Sequence, residues 1–273
     1  KNPPRKQRQS EGCIHRPSRG VGGLPSGGSS VAAARLVWVP TSSWRKMALP
    51  LAPSILCLSL SALAVFGAWL EPPCRFSMPV PTRYTGIWSF LTFQTNVISA
   101  GYFGICVVSA LVPDTLLDPC VVTGFPLAFA LDLLLTPLYY GLDHFNAENV
   151  KVRRKWTQGV EIDGTRMVYP YVEVAAHLQH APGAVVALVA ALCIQASPSR
   201  VACTVGPCSY LAFYLTQTIA CRVATGAWVY PVLEDVQRAA GLVGVGAFIL
   251  VVCAVGAVLA WVGKALVDAR LAL

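Results

Sequence analysis

Residues 85–99 read TGIWSFLTFQTNVIS. Apolar and aromatic residues continue to Ala110 without a charge, as in a helix that crosses a bilayer. The polar residues of this stretch are not scattered. Thr85, Ser89, Thr92, Asn96 and Ser99 are spaced 4, 3, 4 and 3, which puts them on one side of a helix. A polar stripe against lipid is costly, so this one is expected to face other helices or an internal cavity. The plainer reading of such hydroxyls is that they bond back to their own backbone or bridge to a neighbouring helix.

The rest of the chain has the same character. Of 273 residues, 55% are hydrophobic and only 12% charged, against roughly 25% charged in soluble domains. The formal charge of +8 does not indicate a nucleic-acid partner. Residues 1–46 hold nine Lys/Arg and one acid, whereas residues 47–273 hold twelve of each. Residues 2–34 are rich in Arg, Gly, Ser and Pro without periodicity, the composition of a disordered tail. The first Met is Met47, directly before an apolar run, so residues 1–46 read as upstream sequence or an extension and 47–273 as the working membrane domain. A basic transit peptide is the alternative. The ten cysteines form no CxxC and mostly sit in apolar runs, like small buried apolar residues.

A hydrocarbon core of about 30 Å takes about 20 helical residues to cross. Six apolar runs reach that length, near 50–70, 86–112, 121–141, 171–195, 203–222 and 240–262. The fold expected is therefore all-α, a polytopic membrane helical bundle of about six transmembrane helices. Pro126 and Pro137 should kink or bound the third run. The one sizeable loop, about 142–170, carries Lys151, Arg153, Arg154, Lys155 and Trp156, a membrane-surface composition with no chemistry assigned to it.

Polar stripes recur. Asp132, Thr136, Tyr139 and Asp143 are spaced 4, 3, 4; Glu173, His177 and His180 are spaced 4, 3; Tyr210, Tyr214, Gln217 and Cys221 are spaced 4, 3, 4. Helices two to five are expected to turn these faces toward a shared interior, while the sixth mostly faces lipid. A hydroxyl nucleophile needs an adjacent base, and a histidine suits that role. A metal reading of the His pair is poorly supplied, because only His144 and His15 remain as further imidazoles. From pattern alone, catalysis, transport and a packed polar core all stay open.

One resemblance adds to this reading. GIWSFLTFQTNVISAGYFGICVV (86–108) resembles the GxWxFLTFxN signature of the androgen-induced family of multipass membrane proteins, which includes the androgen-dependent regulator of tissue factor pathway inhibitor. RMVYP (166–170), HLQH (177–180) and ATGAWVYPVLEDV (224–236) are similar to three further family elements, in the family's order. The resemblance implies a threonine hydrolase that cleaves fatty acid esters of hydroxy fatty acids. It implies Thr92 as nucleophile and His180 as base, with His177 structural or supporting, and no cofactor or metal. The implied partners are a lipid ester and the bilayer, in the endoplasmic reticulum or other endomembrane, or the plasma membrane. Asn96 and Gln217 are the candidate oxyanion donors, and Asp132 the group that could orient a histidine. The sequence departs from the family at Ala176 and Ala181, where Asn and Thr are usual, and at Thr85 and Ser89. Two readings of another class remain: a non-enzymatic regulatory membrane protein, and a small transporter, for which no inverted repeat is visible.

Overall fold

The computed structural model describes residues 49–73, 85–112 and 117–273. The expectations for the tail 1–46 lie outside them. Among the described residues seven α-helices follow one another: α1 (Leu51–Gly67), α2 (Leu91–Leu111), α3 (Leu117–Leu138), α4 (Ala147–Gln158), α5 (Val172–Cys193), α6 (Arg200–Thr225) and α7 (Pro231–Leu271). An antiparallel pair, β1 (Val160–Ile162) and β2 (Thr165–Met167), lies between α4 and α5.

The chain is a polytopic membrane bundle. Among the described residues five helical segments are long and apolar enough to cross a bilayer: Leu51–Leu70, Leu91–Leu111, Leu117–His144, Val172–Cys193 and Pro231–Leu271. The sixth long helix, α6, has 26 residues but is diluted by its polar side chains. The bundle's exterior is apolar: Ile55, Leu56, Val243, Leu250 and Val251 are all exposed, as expected where lipid is the solvent.

At the centre is α3, which packs against α2, α5, α6 and α7. Phe103, Phe125, Phe129, Val186, Ala187, Ala190 and Ile194 form one core cluster. It fills the half of the bundle remote from the start of α2. Close approach of α3 and α5 depends on Gly183, where an added Cβ would lie 2.8 Å from the Asp132 carbonyl oxygen.

Local chemistry modifies several expected elements. The second span begins at Leu91, not 86, because Phe90 is extended after a 3-10 turn over Gly86–Ser89. Pro126 is carried inside α3, and the helix widens after Pro137 into a π-helical turn, Tyr139–His144. Pro137 lacks the N–H that would continue the α ladder, and such one-turn insertions re-aim the side chains they carry. The expected 142–170 loop contains α4, capped by Asn146, whose side chain accepts the Glu148 and Asn149 N–H groups. The last helix starts nine residues earlier than its apolar run, at Pro231, and breaks at Gly241, whose φ of +65° suits a residue without a Cβ.

Candidate active site

Thr92 occupies the first turn of α2, and His180 lies on the first half of α5. Thr92 Oγ1 is 3.2 Å from His180 Nε2. The other ring nitrogen, Nδ1, is 2.6 Å from the Ala176 carbonyl oxygen. A carbonyl can only accept, so Nδ1 carries the proton and Nε2 is left to accept from the Thr92 hydroxyl. The Tyr139 ring stacks on the imidazole at 3.9 Å and 12°. Thr136 Oγ1 donates to the His180 carbonyl oxygen at 2.6 Å. Tyr139 and Thr136 both come from the C-terminal end of α3 and its π turn, so one element covers the imidazole and holds the His180 main chain.

Thr92 and His180 line a cavity of about 1130 Å³. It has two unlike ends. Between α6 and α7 the walls are apolar, with Leu211, Leu215, Val229, Phe248, Ile249 and Val252. Toward α4 they carry Glu71, Asp143, Asn146, Asn149 and Arg153. Arg153 bonds Asp143 Oδ2 and the His144 carbonyl, both at 2.8 Å, while Asn149 donates to Asp143 Oδ1 at 2.6 Å. Glu71, just past the first span, has its carboxyl pushed up to about 7 by burial, with Asp143 adding and Gln179 and Arg153 opposing. The sixth expected span thus has a cavity-facing strip besides its lipid face.

Four other expected site residues are placed differently. Asn96 is buried and donates to the Gln179 carbonyl at 3.1 Å, which ties α2 to α5 next to His180. Asp132 is buried and accepts from Ser99 at 2.6 Å, not from a histidine; Ser99 in turn meets Ser61 at 3.2 Å. Gln217 accepts from Gln94 and donates to the Trp88 carbonyl, joining α6 to the 3-10 turn. None of the three lines the cavity. Polar groups buried among helices are satisfied by the nearest neighbour, and for these residues the nearest neighbour is not the reacting pair. His177 is exposed and bonds the Tyr140 hydroxyl through Nδ1 at 2.8 Å, with the His144 ring 4.8 Å away. No group of three or more His, Cys, Asp or Glu among the described residues is placed to hold a metal ion.

The model of the family described as FAR-17a/AIG1-like protein matches residues 54–267. The chain belongs to the FAR-17a/AIG1-like family. No curated protein and no solved structure matches it. In this FAR-17a/AIG1-like chain the departure at Ala176 leaves the bond to His180 in place, because the acceptor is backbone.

Two aromatic residues enter the site without having been singled out in the sequence. In the sequence Tyr139 is only one member of a polar stripe. Tyr230 stands in the WVYP element, outside any helical period, so spacing arguments do not reach it. The turn that carries it is firmly held. Glu234 accepts the Trp228 N–H at 3.0 Å and pairs with Arg222 at 3.3 Å, while Trp228 and Leu233 are buried with Val245.

Proposed function

We propose that the protein is a membrane-embedded hydrolase of lipid esters, with Thr92 as nucleophile and His180 as general base. Fatty acid esters of hydroxy fatty acids are the substrate class. The observation that carries this reading is the 3.2 Å contact between Thr92 Oγ1 and an unprotonated His180 Nε2 on the wall of a large cavity. A threonine hydroxyl is a weak nucleophile until a base removes its proton, and this contact is within reach for that transfer.

The chemistry runs in two halves. His180 Nε2 takes the Thr92 proton as Oγ1 attacks the ester carbonyl carbon. The tetrahedral intermediate collapses, the C–O bond to the alcohol breaks, and His180 returns the proton to the leaving oxygen. Water, deprotonated by the same nitrogen, then attacks the acyl carbon; the bond to Thr92 Oγ1 breaks, the acid leaves, and His180 returns the proton to Oγ1. The position of Thr92 at the start of α2 helps, because the positive end of the helix dipole favours the alkoxide. The apolar end between α6 and α7 suits the acyl chain. The α4 end, with Arg153 and the two asparagines, suits the hydroxy acid and its carboxylate. A substrate already dissolved in an endomembrane or the plasma membrane would reach this cavity from the bilayer.

The test is labelling and turnover in membranes expressing wild type, Thr92→Ala and His180→Ala. Wild type should react with a fluorophosphonate at Thr92 and cleave the ester, and each variant should do neither while expressing and inserting normally. A wild-type rate in Thr92→Ala would place the nucleophile elsewhere. A wild type without label or turnover would favour a non-enzymatic regulator.

A further inference from the structure

A tetrahedral intermediate needs hydrogen-bond donors aimed at the developing oxyanion. Asn96 and Gln217 are committed elsewhere, so the donors must come from other groups around Thr92. The cavity wall beside Thr92 holds two tyrosine hydroxyls, those of Tyr214 and Tyr230. The Leu91 N–H donates to both, at 3.0 and 2.9 Å. A phenol has one proton to give. Tyr214 donates its proton to the Ser89 carbonyl at 2.9 Å. Tyr230 accepts from Leu91, and its hydroxyl lies 3.4 Å from that of Tyr214. Among the described residues no backbone carbonyl accepts its proton. The same hydroxyl interacts with both the side chain and the amide of Thr92.

We infer that the Tyr230 hydroxyl, with the backbone N–H of Thr92, forms the oxyanion hole of this site, which rests on the Thr92–His180 reading. Thr92 is the second residue of α2, so its N–H has no acceptor four residues back in the helix; at rest it lies on the Tyr230 oxygen, and it turns to the oxyanion as that forms. As Oγ1 bonds to the carbonyl carbon, the carbonyl π pair moves onto oxygen. That oxygen then accepts from the Tyr230 O–H and the Thr92 N–H, while the Thr92 proton resides on His180 Nε2. On collapse the pair returns and both donors keep their protons. Tyr230 and His180 thus act on different atoms of the intermediate. Tyr230 stands at the mouth of the α6–α7 end, which turns the acyl half of the ester toward the apolar walls. The imidazole lies on the α3 and α5 side, where the leaving oxygen must be.

Tyr230→Phe tests this with little disturbance. The ring keeps its edge contact with Phe90 at 5.9 Å, and the Leu91 N–H keeps Tyr214 as acceptor. The full chain in detergent should lose about 10²- to 10³-fold in kcat with little change in KM. An alkyl trifluoromethyl ketone, which forms an anionic hemiketal with the nucleophile, should lose affinity by a similar factor. The matching non-reactive ether should bind as before. A kcat within threefold of wild type overturns the assignment, as does equal loss for ketone and ether, which marks a packing role. If Tyr230→Phe does not fold, a fluorinated tyrosine at 230 keeps the hydroxyl and strengthens its acidity; a kcat indifferent to fluorination also overturns it. Thr92→Ala is run in parallel. An active Thr92→Ala removes the underlying dyad and this proposal with it, whereas an inactive Thr92→Ala beside an unaffected Tyr230→Phe removes the oxyanion assignment alone.

Discussion

Gly183→Ala should damage activity more than its size suggests. A Cβ at 183 would meet the Asp132 carbonyl oxygen at 2.8 Å and the Asp132 Cα and carbonyl carbon at 3.4 Å. Backbone cannot swing aside as a side chain can, so α3 and α5 must part by roughly half an ångström to restore ordinary contact. Overpacking of this kind costs about 1–3 kcal/mol, which in a chain of this size lowers Tm by about 2–10 °C. The larger effect follows from position. Gly183 is three residues beyond His180, and Asp132 four before Thr136, so the wedge enters one turn from the Thr136–His180 bond. The Thr92–His180 contact, at 3.2 Å, is already at the long end of proton-transfer reach. A displacement approaching 1 Å can cost about 100-fold, so a fall of about 10- to 100-fold in kcat is expected. Thermal unfolding of the purified protein in detergent and ester turnover in the same micelles measure the two effects. Gly246→Ala is the control, since nothing lies within 4 Å of that Cβ, and it should leave both unchanged. Wild-type Tm and turnover in Gly183→Ala would refute the close α3–α5 approach and the argument built on it.

Three further outcomes are expected. The Thr92→Ala/His180→Ala double variant should be scarcely slower than either single one, because the pair acts as a unit, and Thr92→Ser should keep measurable turnover; steady-state kinetics on the four variants checks both. Glu71 titrates at about 7 in the fold against 4.5 for an ordinary glutamate, so the folded state holds the extra proton and wild-type stability should fall as pH rises from about 4.5 to about 7; Glu71→Gln should flatten that slope in chemical unfolding, and an unchanged slope would clear Glu71. Arg153→Gln should narrow the preference for a free-acid ester over its methyl ester, read as a ratio of kcat/KM; an unchanged ratio would move the carboxylate away from the α4 end.

The 4-3 spacing of polar residues was enough to read a helical bundle with polar interior faces, because a 3.6-residue period leaves few other ways to hide them. It did not say which residues on those faces would meet. Thr92 and His180 meet because α2 starts at Leu91 and α5 approaches α3 at Gly183. Asn96, Asp132 and Gln217 share the same stripes yet are satisfied by Gln179, Ser99 and Gln94. Arg153 looked like headgroup-facing charge but is drawn inward by Asp143, a pairing that spacing alone does not reveal. Tyr230 escaped because a turn residue has no period, and α4 because its residues are mostly polar and charged, so no apolar run marks it.

The carbonyl that fixes the imidazole of His180 has a consequence for how this site can vary. In hydrolases whose base is oriented by a carboxylate, a single codon change can delete the orienting group. Here the corresponding atom is the main-chain oxygen of Ala176, four residues back along the same helix. Every amino acid supplies that oxygen. Position 176 is therefore free to drift without loss of tautomer, and only a change that unwinds this turn of α5 can take the acceptor away. The vulnerability of the base is moved from one inherited side chain to the integrity of a helix.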